Sequence, residues 1–318
     1  MKPATSTARV EPAQPGLGAN ALRPVLAGGR WQTARRAVSP CLALTKPRVT
    51  LLVAVTALAA CYVGSQRPLA LWYLFELTAA TALLAGGTAA LNQLWEWRSD
   101  ALMRRTKIRP LPAHRLAPAT ALIFGLALSA AGLGLLAWRI NWLSAAMGLA
   151  TAASYLLLYT PIKYRSPLST VIGALPGSGP ILIGWAAARG VLDAGAWALF
   201  GLQFLWQFPH FLAIAALYRE DYAKAGIRML PVVDESGEET GRQVILYCLA
   251  LLPVSLLPAV LGIAGFWYFA GALALGAGLL AVGVQTARSK TRLAARRLLQ
   301  ASVLYLPLIF ALMMMDKR

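Results

Sequence analysis

The chain has 318 residues, of which 58% are hydrophobic and only 13% charged, with a mean hydropathy of +0.60. A soluble domain sits nearer roughly 45–50% apolar with about a quarter charged, so this composition reads as a single integral membrane bundle in a lipid bilayer rather than a set of soluble domains. The formal charge of +18 would suggest nucleic acid in a soluble protein, but its placement here serves membrane topology and no nucleic-acid partner is needed.

Residues 1–40 hold Pro, Gly, Ser/Thr and scattered Arg with one acid, Glu11, and predict a disordered basic N-terminal tail. The same Arg-rich, acid-poor character also fits a mitochondrial transit peptide. Over residues 41–318, apolar runs near 20 residues predict nine transmembrane helices, at 48–65, 71–94, 117–138, 142–160, 168–188, 194–217, 243–263, 266–285 and 298–315. With the N-terminus cytoplasmic, the inner segments carry 25 of the 30 Lys and Arg residues. The outer segments keep only Arg67, Arg139, Arg189, Lys317 and Arg318. This asymmetry satisfies the positive-inside rule, and the expected fold is an all-α polytopic membrane helical bundle. Cys41, Cys61 and Cys248 show no metal or redox spacing and read as small hydrophobes. Glu76, near the outer end of the second helix, reads as a snorkelling acid.

The second helix ends in Asn92-Gln-Leu-Trp-Glu96-Trp-Arg-Ser-Asp100, followed by Arg104, Arg105, Lys107 and Arg109. At i, i+4 spacing Asn92, Glu96 and Asp100 fall on one helix face. Oxygen ligands in that arrangement suit Mg²⁺, which binds through one or two carboxylates plus substrate phosphates. The adjacent cations are the groups that hold such phosphates. A third inner loop adds Tyr159, Lys163 and Arg165, and Gly173–Pro180 opens the fifth helix with glycines and prolines, either as a close packing surface or as a broken helix beside a cavity.

The sixth helix leads into Tyr218-Arg-Glu220-Asp221-Tyr222, four helices after the first acidic motif and on the same face, an echo of topology rather than of sequence. Asp234, Glu235, Glu238 and Glu239 read as a solvated loop, and His114 as a solvated side chain. His210, in an aromatic stretch of the sixth helix, is an ionisable residue inside the membrane and so a functional candidate. Metal, cations and an apolar bundle together point to a diphosphate with a hydrocarbon tail, whose allylic C–O bond such a site would ionise in a dry pocket. A transporter is disfavoured, because its polar residues would lie near the midplane.

These segments resemble the UbiA superfamily of intramembrane prenyltransferases. The likeness rests on LTKPRVTLL (44–52), NQLWEWRSDALMRRTKIRPLP (92–112), YTPIKYRSPLSTVIGALPGSGPILIGWAAARG (159–190) and WQFPHFLAIAALYREDYAKAGIRMLPVV (206–233). Glu96 in the middle of the first motif is similar to the heme branch, whereas Tyr218 and Tyr222 replace the outer acids of the usual second motif. The resemblance implies farnesyl transfer from farnesyl diphosphate to a vinyl group of heme b, with water addition, giving heme O for terminal oxidase assembly. It further implies Mg²⁺ held by Asn92, Glu96, Asp100 and Asp221, and diphosphate held by Arg104, Arg105, Arg109 and Lys163 with Tyr159. His210 is the implied heme contact. Implied partners are heme A synthase or terminal oxidase assembly factors, and the implied location is a bacterial cytoplasmic (inner) membrane, in preference to the mitochondrial inner membrane. A prenyltransferase acting on an aromatic quinone precursor is the alternative.

Overall fold

The computed structural model describes residues 40–318; nearly all of the expected disordered tail, residues 1–39, lies outside the described residues. Nine helices among the described residues are long and apolar enough to cross a membrane. They are α1 (Pro47–Gly64), α2 (Leu71–Asp100), α3 (Pro118–Ile140), α4 (Trp142–Ile162), α5 (Ser169–Arg189), α6 (Ala194–Leu217), α7 (Glu238–Val260), α8 (Phe266–Ser289) and α9 (Arg292–Met315). Helices meet the bilayer's demand that every backbone N–H and C=O be paired within the segment. Their starts follow local chemistry. Pro47 and Pro118 occupy first-turn positions where no N–H is needed, and Asn141, Asp193 and Thr291 accept hydrogen bonds from the first-turn amides of α4, α6 and α9.

Three helices run five or six residues beyond the apolar stretches expected for them. α2 continues to Asp100, α7 begins at Glu238 and α9 at Arg292. Hydropathy detects only the hydrocarbon-spanning part, whereas the helical hydrogen-bond ladder continues wherever a polar turn still packs. The extra turns of α2 carry Glu96 and Asp100, both buried.

α5 is the most enclosed span, packing against α1, α4 and α6. Its Gly/Pro segment is continuous helix with Pro176 and Pro180 inside it, so the packing reading holds and the broken-helix reading does not. Gly184 meets the backbone of Ala57 on α1, and a Cβ at Gly173 would lie 2.7 Å from the Tyr159 ring; small residues here set how closely the helices approach. One apolar core joins α1 and α5–α9 and a second joins α1–α5. The loops 101–117, 163–168 and 218–237 gather on one face with residues 40–46. At the other face Arg139 donates to Glu76 Oε1 at 2.6 Å, so Glu76 is ion-paired rather than snorkelling.

Candidate active site

The end of α2 is tied down from both sides. Gln93 Nε2 donates to Leu44 O at 2.6 Å, seating residues 40–46 across the helix end, and Leu44, Ala90, Leu111 and Ala121 close an apolar cluster beneath them. Met103, Tyr164, Tyr222, Ala225, Ile227 and Met229 form another, docking the three loops together, and Arg228 N donates to Lys163 O at 2.9 Å. The polar face of α2 is thereby enclosed: Asn92 is 1% exposed, Glu96 6% and Asp100 1%.

Within this enclosure the expected residues meet. Asn92 Nδ2 donates to Glu96 Oε1 at 2.7 Å and to Thr160 Oγ1 at 3.2 Å. Lys163 Nζ lies 2.5 Å from the same Glu96 oxygen, and Arg109 donates to Asp100 Oδ2 at 2.7 Å. Besides Thr160, two residues that sequence reasoning did not single out complete the network. Lys46 Nζ and Tyr155 OH each donate to Asn92 Oδ1 at 3.2 Å. Lys46 reaches inward from the left-handed backbone conformation, with φ 49°, and its ammonium pKa falls from 10.5 to about 8, mainly through burial and secondarily through the positive charge of Arg109. Tyr155 and Tyr159 stack at 5.4 Å in a π-helical stretch, Ser154–Tyr159, just before Pro161, whose missing N–H cannot continue the ladder. Such π-turns often mark functional positions. The i, i+4 spacing of the two tyrosines was the available signal; for Lys46, only its place in the resemblance motif hinted at a role.

The donor set fits a hard cation. Glu96 takes its partners on Oε1 and Asp100 on Oδ2, leaving Glu96 Oε2 and Asp100 Oδ1 without a hydrogen-bond partner among the described residues. No group of three or more His, Cys, Asp and Glu suited to a metal occurs among the described residues. An ion here would rest on two carboxylates and complete its shell with phosphate and water oxygens. Asn92 is the more encumbered ligand, because its carbonyl oxygen already accepts two donors.

Other expected members lie apart. Arg104 and Asp221 line a cavity of about 520 Å³ beside Glu220, Asp234 and Lys290, whose lining does not include Asn92, Glu96 or Asp100. Arg105 sits 5.0 Å over the Tyr218 ring. His210 faces α9: its Nδ1 lies 2.9 Å from Ser302 Oγ, and its ring stacks on Trp206 at 5.0 Å. Ser302 Oγ donates to Leu299 O, so it accepts from Nδ1–H. That tautomer leaves the Nε2 lone pair for an incoming partner.

A helical membrane bundle that buries paired carboxylates and cations under three docked loops is built to hold a polyanionic headgroup at the end of an apolar interior. The chain matches the UbiA prenyltransferase family over residues 53–309 and belongs to that family. It is 49% identical over 283 residues to the protoheme IX farnesyltransferase of Solibacter usitatus, covering 86% of this chain and 97% of that protein. It is 45% identical to the protein of the same name from Koribacter versatilis, covering 86% and 92%. Among solved structures, a digeranylgeranylglyceryl phosphate synthase superposes with a TM-score of 0.74 at 16% identity, over 88% of this chain and 98% of that one. A UbiA homologue from Archaeoglobus fulgidus bound to GPP and Mg²⁺ gives 0.66 at 16% identity, over 86% and 99%.

Proposed function

We propose that this chain is an integral membrane prenyltransferase that moves the farnesyl group of farnesyl diphosphate onto a vinyl group of heme b, with addition of water, giving heme O. The buried Asn92–Glu96–Asp100 face, ringed by Lys46, Lys163 and Arg109, carries the reading, and the relatives named protoheme IX farnesyltransferase, matched along nearly their whole length, support the acceptor. Glu96 and Asp100 would hold Mg²⁺, with Asn92 alongside; the ion supplies charge neutralisation for the departing diphosphate. Lys163 and Arg109, already aimed at the carboxylates, would turn to the phosphate oxygens as these enter and stabilise the charge that grows as the C–O bond breaks. Tyr155 and Tyr159 would line the path of the allylic cation, and the docked loops would exclude water until the vinyl carbon attacks. Pyrophosphate leaves, and water adds to the benzylic-type position with release of a proton. Arg104 and Arg105 would draw the diphosphate toward the loop face.

His210, held as the Nδ1–H tautomer by Ser302, would contact the heme through Nε2. Asp221 would act from its neighbouring cavity, as a ligand reached only by movement of the 218–229 loop. The charge asymmetry of the loops supports a cytoplasmic N-terminus and a cytoplasmic-membrane location, where heme A synthase or oxidase assembly factors would take the product. The test is turnover of the protein reconstituted with farnesyl diphosphate, Mg²⁺ and either heme b or an aromatic acid. Farnesylation of heme alone supports the proposal, and farnesylation of the aromatic acid alone overturns it.

A further inference from the structure

The face opposite the docked loops carries few cations, and they are not scattered. Arg67, Arg189, Lys317 and Arg318 all line one cavity of about 840 Å³, bounded by the end of α1, the α5–α6 turn, the α7–α8 turn and the chain's last residues. The remaining cation of that face, Arg139, is paired with Glu76. Against these four, the only acidic side chain among the described residues that lines the cavity is Asp193. Asp193 is already occupied: it pairs with Arg189 at 3.1 Å and caps α6 by accepting from the amides of Gly195 and Ala196. Lys317 is held inside by donating to Tyr62 O and Ser65 O at 2.5 and 2.6 Å. Arg67 and Arg318 are exposed and make no side-chain hydrogen bond among the described residues.

With Arg189 balanced by Asp193, the charges of Arg67, Lys317 and Arg318 face one cavity without a paired carboxylate side chain among the described residues, and forked guanidinium donors match phosphate oxygens. The cavity's rim is apolar and exposed at Tyr62 and Leu261, as befits a ligand with a hydrocarbon tail at the membrane boundary. We infer that this cavity binds the phosphodiester headgroup of an anionic lipid. It lies at the far end of the bundle from Asn92, Glu96 and Asp100, so lipid there would brace the α1, α6 and C-terminal junction without entering the reaction.

The test compares thermal unfolding of the full chain in neutral detergent with added phosphatidylglycerol, phosphatidylcholine or inorganic phosphate, and counts retained lipid by native mass spectrometry. Phosphatidylglycerol should raise Tm and remain bound, with neither effect from phosphatidylcholine. Arg67→Gln/Arg318→Gln should weaken phosphatidylglycerol binding by roughly tenfold or more, the loss expected from charge-assisted contacts, while Arg296→Gln/Arg297→Gln, two exposed cations of the other face, should bind as the native chain does. Should the first double variant misfold, Arg67→Gln alone gives the same comparison in smaller measure. Equal retention of both lipids, unchanged binding in the Arg67 variants, or full stabilisation by inorganic phosphate with nothing added by lipid would overturn the inference.

Discussion

Glu96 and Lys163 allow stability and chemistry to be separated by experiment. Their Oε1–Nζ distance is 2.5 Å and their side chains are 7% and 9% exposed. At that distance and an effective dielectric of about 20, the attraction is about 6–7 kcal/mol, largely offset by desolvation of both groups. Removing one partner costs about 3–5 kcal/mol, because the other stays buried and uncompensated. Glu96→Gln keeps the shape and leaves a carbonyl for Asn92 to donate to, but presents Lys163 with a neutral amide. It should lower stability by about 3 kcal/mol, and Lys163→Met by a similar amount. The double variant should be more stable than the sum of the two losses implies by at least about 1 kcal/mol. Turnover should not recover with it, since all three variants lose a contact to metal or diphosphate worth about 1.5–3 kcal/mol, or about 10- to 150-fold in kcat/KM. Denaturant unfolding in micelles and prenyl-transfer rates are the two readouts. Additive stability losses would refute the buried pair, and a double variant turning over like the native chain would refute its role in the reaction.

Arg109→Ala should raise the KM for farnesyl diphosphate about 10- to 150-fold, and titrations overlaying those of the native chain would remove it from the diphosphate site. Asp100→Ala should nearly abolish heme O formation while Asp221→Ala costs far less, because only Asp100 lies in the enclosed cluster; equal losses would show that Asp221 ligates the ion as fully. His210→Ala should weaken heme binding and shift the bound heme's absorption spectrum with farnesyl diphosphate binding unchanged, and Ser302→Ala should do so more weakly; normal heme binding in both would make the pair purely structural. With the Lys46 ammonium pKa near 8 in the fold against about 10.4 unfolded, the unfolded chain binds the extra proton between those values. Stability should therefore rise as pH climbs from about 8 toward 10. Lys46→Met should flatten that slope, and an unchanged slope would show that Lys46 is not held in the enclosure.

The number and order of the spans were legible because each membrane crossing imposes an apolar run. The polar ends of α2, α7 and α9 were not, since hydropathy stops where helix continues. Asn92, Glu96 and Asp100 stood out because i, i+4 spacing puts them on one face, and the structure brings Lys163 and Arg109 to that face. Lys46, Tyr155, Thr160 and Ser302 escaped notice because each acts through a contact between distant segments, as in the Ser302–His210 hydrogen bond or the reach of Lys46 across to Asn92. Arg139 and Glu76 pair between adjacent helices, which side-chain placement revealed and hydropathy could not. Arg104 and Asp221 sit in the right loops for the diphosphate site, yet fold into a neighbouring cavity, a distinction carried by loop packing rather than by residue type.

The central claim is that the enclosed face of α2 drives farnesylation of heme. Its most direct measurement is the mass of heme extracted from cells lacking their own farnesylating activity and expressing either the native chain or Asp100→Ala. The native chain should yield heme heavier than heme b by one farnesyl group plus one hydroxyl group, and Asp100→Ala should yield heme b alone. Unmodified heme from the native chain, or farnesylated heme at native levels from Asp100→Ala, would contradict the account.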